Sequence, residues 1–311
     1  MKIALCFHGF MRHYEITYNQ IIKNLNLSDK NYDVFIYTNK NNHIKHFDEA
    51  KNVKLRKNNL DINFFYNICG EKLKVVKFVE DDEDYLINIK NKFEKLKKYY
   101  SELLEKKILP NNEKNINRIK SYINYNINNY LNEPNFRAYP WILRQSDQFL
   151  KLYLVSKLML NYSKENNIEY DIVINIRPDV IICNTNKNLL DLVYKNIKDN
   201  RIFCSINIDF CFFTNLKTNE IFLKGLFDDY GTIDNIDDFN SGWFFAPESR
   251  STYYIKKIFE KFELNMRPSY YCNLKNLHND NKETIENVEE LCKKHHNMTL
   301  DILNPLLLII N

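Results

Sequence analysis

The chain has 311 residues, 44% hydrophobic and 14% aromatic, enough apolar material for one large α/β core or two small ones. Lys and Arg number 44 against 40 Asp and Glu, a net charge of +4 that is too balanced to point to nucleic acid or a membrane surface. Apolar runs stay short of the roughly 18 residues a membrane helix needs. Met1–Phe7 leads straight into His8-Gly9 without a signal-peptide pattern, and the 7 cysteines show no paired spacing, so no membrane span and a reducing, cytoplasmic setting are expected.

Lys2–Phe7 reads as a strand feeding the turn His8-Gly9-Phe10-Met11-Arg12 and a helix from about Tyr14 to Leu25, the opening of a βα unit. The turn's backbone and Arg12 suit a nucleotide's base or phosphates, because guanidinium matches phosphate and helix N-termini favour anions. A surface Arg beside an ordinary turn is the plainer alternative. Tyr32–Asn39, with Tyr37 near its end, is the second strand; its Tyr-Asp start is repeated at Tyr170-Asp171. A polar, basic helix or loop runs through Asn59, and Leu73–Val79 is the third strand. The acidic cluster Glu80–Asp84 follows. Its Asp82-x-Asp84 has the form of a cation-binding pair, but acidic residues also favour a helix start, and that reading is preferred.

Residues 85–132 are polar, Asn/Lys-rich and helical, broken at Pro110-Asn111-Asn112, and are expected to form an insertion of about 85–135 with no visible chemistry. The denser segment Ala138–Gln148 leads a helix through Tyr162, with Leu152, Val155, Met159 and Tyr162 as its core stripe. Arg144, Gln148 and Lys157 stand on turns that reach toward the strand ends; for Lys157 a solvated helix face is the plainer alternative.

The pivotal stretch is Ile172–Ile176, an apolar run interrupted only by Asn175, which reads as a strand buried on both faces. Pro178 has no N–H for a ladder, so regular pairing stops or bulges there. Arg177 and Asp179 are thereby left at the carboxyl end of a central strand, where ligands bind in open α/β sheets; an ion pair capping the strand is the alternative. A helix over Asn188–Ile197 and a strand over Arg201–Ser205 follow, and Asp209, before the apolar Phe210–Thr214, is a candidate second carboxylate. Asp238, Asn240 and Gly242 precede an aromatic strand. Gly242 lets backbone approach a ligand, while an Asx-type turn opening a strand explains the segment equally well. The remainder, about 250–311, reads as a helical region (Ser251–Phe262 and Lys282–His296), with His295-His296 a helix end and the apolar tail Leu306–Ile310 docked on the body.

Together these pieces resemble a group of glycosyltransferase-like proteins of bacteria and large DNA viruses. That group shows an N-terminal strand ending in a small-residue loop and Arg, a "YDVFIHTW"-type strand, a Gln- and Lys-bearing helix and a "YDxVIRxRPD" strand. The matches here are Phe7-His8-Gly9 with Arg12, Tyr32–Asn39, Gln148 with Lys157, and Tyr170–Asp179. Phe239-Asn240-Ser241-Gly242 is also similar to the acceptor-side Asn-Ser-Gly motif of several nucleotide-sugar transferases. Two departures stand out: His8 replaces a small hydroxyl residue, and the strand-end motif is Arg-Pro-Asp in place of Asp-x-Asp.

The resemblance implies one GT-A-like domain over 1–311, a Rossmann-type, mostly parallel α/β sheet flanked by helices, with a helical insertion. It implies a nucleoside-diphosphate-sugar donor held by His8, Gly9, Arg12, Tyr37 and Arg177, with Arg144, Gln148 and Lys157 from the helix and Asn240 and Gly242 beyond. A divalent ion, Mn2+ or Mg2+, would sit at Asp179, and a hydroxyl of a glycan or protein would be the acceptor. Asp238 or Asp209 would be the base of an inverting transfer, and the metal or Arg12, Arg177 or Lys157 would neutralise the leaving phosphates. The competing expectation is an inactive nucleotide- or sugar-binding scaffold, in a virion or a surface assembly; convergence of Asp179, Asp209 and Asp238 on one cleft discriminates the two. A nucleotidyltransferase is disfavoured, because 5 glycines leave no Gly-rich phosphate loop.

Overall fold

The structure is a computed structural model that describes residues 1–11, 14–44, 56–109, 112–130, 140–178, 180–185, 189–197, 201–204, 211–229, 265–268 and 272–276. Lys2–His8 (β1), Tyr14–Asn24 (α1) and Asn31–Thr38 (β2) open it as a βαβ unit. Asn41–Ile44 (β3), Arg56–Asn59 (β4) and Ile62–Cys69 (α2) lead to Leu73–Phe78 (β5). Three helices follow, Glu83–Glu105 (α3), Glu113–Ile123 (α4) and Trp141–Glu165 (α5), and then Ile172–Ile176 (β6). Beyond it come Val180–Thr185 (β7), Leu189–Asn196 (α6), Arg201–Cys204 (β8) and Cys211–Thr214 (β9). Leu216–Asp229 (α7), Asn265–Pro268 (β10) and Cys272–Asn276 (β11) complete the described elements.

A seven-stranded sheet in the order β10-β8-β9-β6-β1-β2-β5 carries the fold. β1 pairs in parallel with β2 on one side and β6 on the other, and β5 extends the parallel half beyond β2. Among the described strands of this sheet only β9 runs against the rest. Parallel neighbours require crossover segments, and the helices that supply them cover both faces. The two-residue period of the strands sorts the cores. Ile3, Leu5, Phe7, Val34, Ile36, Ile172 and Ile174 pack with Tyr14, Tyr18 and Ile21 of α1, Phe65 of α2 and Val193 of α6. Ala4, Cys6, Phe35, Tyr37 and Val173 face the other way, toward residues of α3, α4, α5 and α7. The result is a Rossmann-like, mostly parallel α/β sheet flanked by helices.

The Tyr-Asp repeat fastens the amino ends of the central strands. Tyr170 donates its hydroxyl to Asp33 at 2.7 Å, and Asp171 accepts the backbone N–H of Lys2 at 2.7 Å. Three helices end on a residue with positive φ, Asn26, Lys107 and Asn167. In each case the next N–H reaches back five residues to a carbonyl, Leu27 to Ile22, Ile108 to Leu103 and Ile168 to Ser163, which satisfies the last turn. Asn is among the residues that tolerate this conformation best.

Two sequence expectations change, over 41–59 and over 265–276. The polar segment before Asn59 carries the antiparallel β3–β4 pair in place of a helix or plain loop. α2 starts at Asp61, whose carboxylate caps the Phe64 N–H at 2.8 Å. The helical insertion is built into the main core: Tyr85, Ile89, Phe93, Leu96 and Tyr100 of α3 are buried with Ile119 and Tyr122 of α4. Within the region expected to be helical, β10 pairs with β8 and β11 with β7; partner backbones decide those segments where local pattern does not. The expected helices Ser251–Phe262 and Lys282–His296 and the tail Leu306–Ile310 lie outside the described residues.

α5 also differs from a one-stripe helix. Leu152, Val155 and Met159 are buried as the stripe requires, but so are Gln145, Ser146, Asp147, Lys151, Ser156 and Ser163. The sheet lies against one side of α5, and α3, α4 and α7 lie against others.

Candidate functional site at the carboxyl edge of the central strands

Phe7 of β1 and Ile176 of β6 are register partners, so His8-Gly9 and Arg177-Pro178 leave the sheet from adjacent strand ends. From β1 the chain crosses through α1 on one face, while β6 is reached through α5 on the other. This is a topological switch point, where connections part and leave a crevice at the carboxyl edge. His8 is buried, and Arg177 is half-buried. Gly9 has φ +93°, and its N–H bonds the Tyr37 carbonyl at 3.1 Å. A Cβ there would meet nothing within 4 Å, so this glycine is required for backbone conformation and not for close approach.

The turn after β6 is tied to α1, with Thr17 Oγ1 donating to the Pro178 carbonyl at 2.6 Å. As expected for a residue that cannot donate to a ladder, Pro178 ends the pairing. The chain resumes as β7, which pairs with β11 in a separate two-stranded sheet. Asn175, the one polar residue in the β6 run, donates to Asn219 Oδ1 at 2.7 Å. Asn219 of α7 in turn donates to Ser156 of α5, so this buried amide joins the sheet to two helices.

Beside this edge lies a buried polar cluster that the sequence reading missed. Lys151 of α5 is 2% exposed and donates to Asn39 Oδ1 and to Asp147 Oδ2, both at 2.8 Å. Tyr85 of α3 donates to the other Asp147 oxygen, and the Tyr130 hydroxyl bonds that of Tyr85. The ring of Phe10, from the loop after β1, lies 5.0 Å from Lys151 Nζ, and the Tyr85 ring lies 5.9 Å from it. Both distances suit a cation over an aromatic face. An acid and a lysine four apart on a helix usually form a solvated surface pair. Here the packing of the sheet and of α3, α4 and α7 around α5 makes the pair interior.

Helix geometry separates the three α5 residues expected at the site. At about 100° per residue, Gln148 and Lys151 lie within about 40° of Arg144 around the axis, whereas Lys157 lies about 140° away. Arg144 and Gln148 are half-buried on the side of Lys151. Lys157 is exposed, with Nζ 5.9 Å from the Tyr153 ring, as the solvated-face alternative requires. Tyr37 donates its hydroxyl to Asp82 Oδ2 at 2.6 Å. Asp82, at the start of α3, also pairs with Lys77 at 3.1 Å, while Asp84 is exposed; the acidic cluster is a helix start. Burial alone would raise the Asp82 pKa, but the bonds from Tyr37 and Lys77 and the Lys77 charge outweigh it and hold it below the ordinary value. Burial, and then the bond to Asp82, push the Tyr37 hydroxyl upward.

Arg12, Asp179, Asp209, Asp238, Asn240 and Gly242 lie outside the described residues. Among the described residues no three of His, Cys, Asp and Glu stand together as a cation site. No described helix is long and apolar enough to cross a membrane. Fold and edge define the class: a Rossmann-like α/β protein whose first and fourth parallel strands end side by side at a switch point. No protein-family model matches the chain, and no curated protein matches it.

Proposed function

We propose that the chain is a GT-A-like glycosyltransferase that moves a sugar from a nucleoside-diphosphate sugar to a hydroxyl of a glycan or protein. The observation that supports this reading is the meeting of the His8-Gly9 and Arg177-Pro178 turns at adjacent parallel strand ends. A crevice of this kind accepts nucleotides because backbone N–H groups and cationic side chains gather at strand ends and helix starts. In the reaction the bond from the anomeric carbon to the diphosphate oxygen breaks and a bond to the acceptor oxygen forms. Arg177, with Arg12, would offset the negative charge that builds on the departing diphosphate. Asp238 or Asp209 would take the acceptor proton in an inverting transfer. Asp179 would contribute a carboxylate to a divalent ion bound with the diphosphate.

A thermal-shift screen of nucleoside diphosphates and nucleotide-sugars, each with and without manganese, tests this reading, because a ligand that binds only the folded state raises its stability. A selective shift with one nucleotide is expected, with transfer abolished in Asp179→Asn while the fold persists. A shift independent of manganese would leave the phosphates to the arginines. No shift with any nucleotide would replace the transferase with the inactive scaffold.

A further inference from the structure

A threonine inside a helix ordinarily returns its hydroxyl to a carbonyl of its own preceding turn. Thr17 of α1 has that choice, with the Tyr14 carbonyl at 3.2 Å, but the Pro178 carbonyl stands nearer, at 2.6 Å. A hydroxyl has one hydrogen to donate, and the shorter contact takes it. Thr17 is fully buried, so water does not compete for the bond.

The bond falls where the turn has its last freedom. Arg177 precedes a proline, which confines its backbone to the extended region. The Pro178 ring fixes φ of that residue. What is left is ψ of Pro178, which sets where its carbonyl oxygen lies and in which direction the chain departs. Thr17 holds that oxygen, and α1 also packs against β7, the strand into which the chain departs. The turn that carries the half-buried Arg177 at the end of β6 is thereby formed before any ligand arrives. A site ordered in advance loses less of its binding energy to ordering.

We propose that Thr17 is a positioning residue: through Pro178 it holds the Arg177 turn in the form that receives the diphosphate of a nucleotide. Thr17 acts on the turn and not on the ligand. The diphosphate rests on the transferase reading; the hold on the turn does not.

Two measurements test it, on Thr17→Val, which keeps the volume and removes the hydroxyl, and on Thr17→Ser, which keeps the hydroxyl. If Thr17→Val does not fold, Thr17→Ala, which asks for less space beside the Pro178 oxygen, takes its place. Hydrogen exchange reads the hold. In Thr17→Val the β7 amides should exchange faster by a larger factor than those of β2, and Thr17→Ser should restore them. An equal factor in both strands, or no change, overturns the proposal. Calorimetric titration with uridine and guanosine diphosphate then reads the ligand. Affinity for the diphosphate that binds should fall roughly 3- to 10-fold in Thr17→Val, the scale of one neutral hydrogen bond, and recover in Thr17→Ser. Arg177→Met should lower it further, and adding Thr17→Val to that variant should change little, because one residue acts through the other. Losses that simply add, or an unchanged affinity in Thr17→Val, overturn the positioning role even where exchange is selective. If neither diphosphate binds the unaltered protein while exchange in β7 is selectively raised, the diphosphate falls with the transferase reading and the hold on the turn stands.

Discussion

Thr17 in α1 donates its hydroxyl to the Pro178 carbonyl at 2.6 Å, although the two residues are 161 positions apart. The helix that follows β1 thus holds the turn that follows β6, and the two loops of the crevice share one support. Thr17 is fully buried. Thr17→Val should leave that carbonyl unsatisfied and cost about 1–3 kcal/mol, while Thr17→Ser should recover most of it. Urea unfolding of the three proteins checks this, and equal midpoints for Val and Ser would show that the bond contributes nothing.

Asp82 gives the fold an acid-sensitive joint. Its folded pKa lies below the ordinary 3.8 because Tyr37 and Lys77 favour the carboxylate more than burial opposes it. The unfolded chain therefore binds the proton first, and the stabilisation is complete above that ordinary value and is lost as pH falls through the lower folded one. The stability gap between the unaltered protein and Asp82→Asn should be widest near neutrality and shrink below about pH 4. Unfolding free energies measured across that range decide it.

Lys92 reaches from α3 to the end of α7, donating to the carbonyls of Phe227 and Asp228, each at 2.8 Å. A cation at a helix C-terminus meets both the unpaired carbonyls and the negative end of the dipole. Lys92→Met should destabilise by about 2–3 kcal/mol, the range for hydrogen bonds to a charged donor. It should also raise hydrogen exchange in the last turn of α7 before that in β1, and uniform loss of protection would count against a local role.

Gly9 provides a backbone test with little steric contribution. Its φ of +93° is unfavourable for an L side chain, yet a Cβ would meet nothing within 4 Å. Gly9→Ala should cost about 1–2 kcal/mol from conformation alone, and Gly9→Asn should cost less, because Asn visits positive φ more readily. Thermal midpoints of the two variants provide the check.

What the sequence made legible follows from how local each feature is. β1, β2 and β6 announce themselves because strands covered on both faces must be continuously apolar, and Pro178 marks its own effect by lacking an N–H. Lys151 and Asp147 were illegible because an acid and a base four apart look the same whether water or protein surrounds them; only the packing of α3 against α5 makes them interior. Lys157 stands apart from Arg144 and Gln148 because helical phase, not distance along the chain, decides which residues share a side. The β3–β4 pair and β10 depend on partner backbones that no local pattern encodes. The end of β6 was readable as an edge from Pro178, but that β1 lies beside it is set by strand order, which the alternation of strands and helices leaves open.

The pairing of β1 with β6 also governs how this chain must fold. Lys2 meets Asp171 across a separation of 169 residues, so the central strand gains one of its two neighbours only by closing a loop of that length. Closing so long a loop is slow in proportion to its contact order. Meanwhile β1 and β2 present apolar side chains on both faces, with the cover from α5 still to arrive. A chain built in this order depends on the speed with which α5 and β6 dock, and partially folded forms lacking them expose a bare, aggregation-prone strand edge.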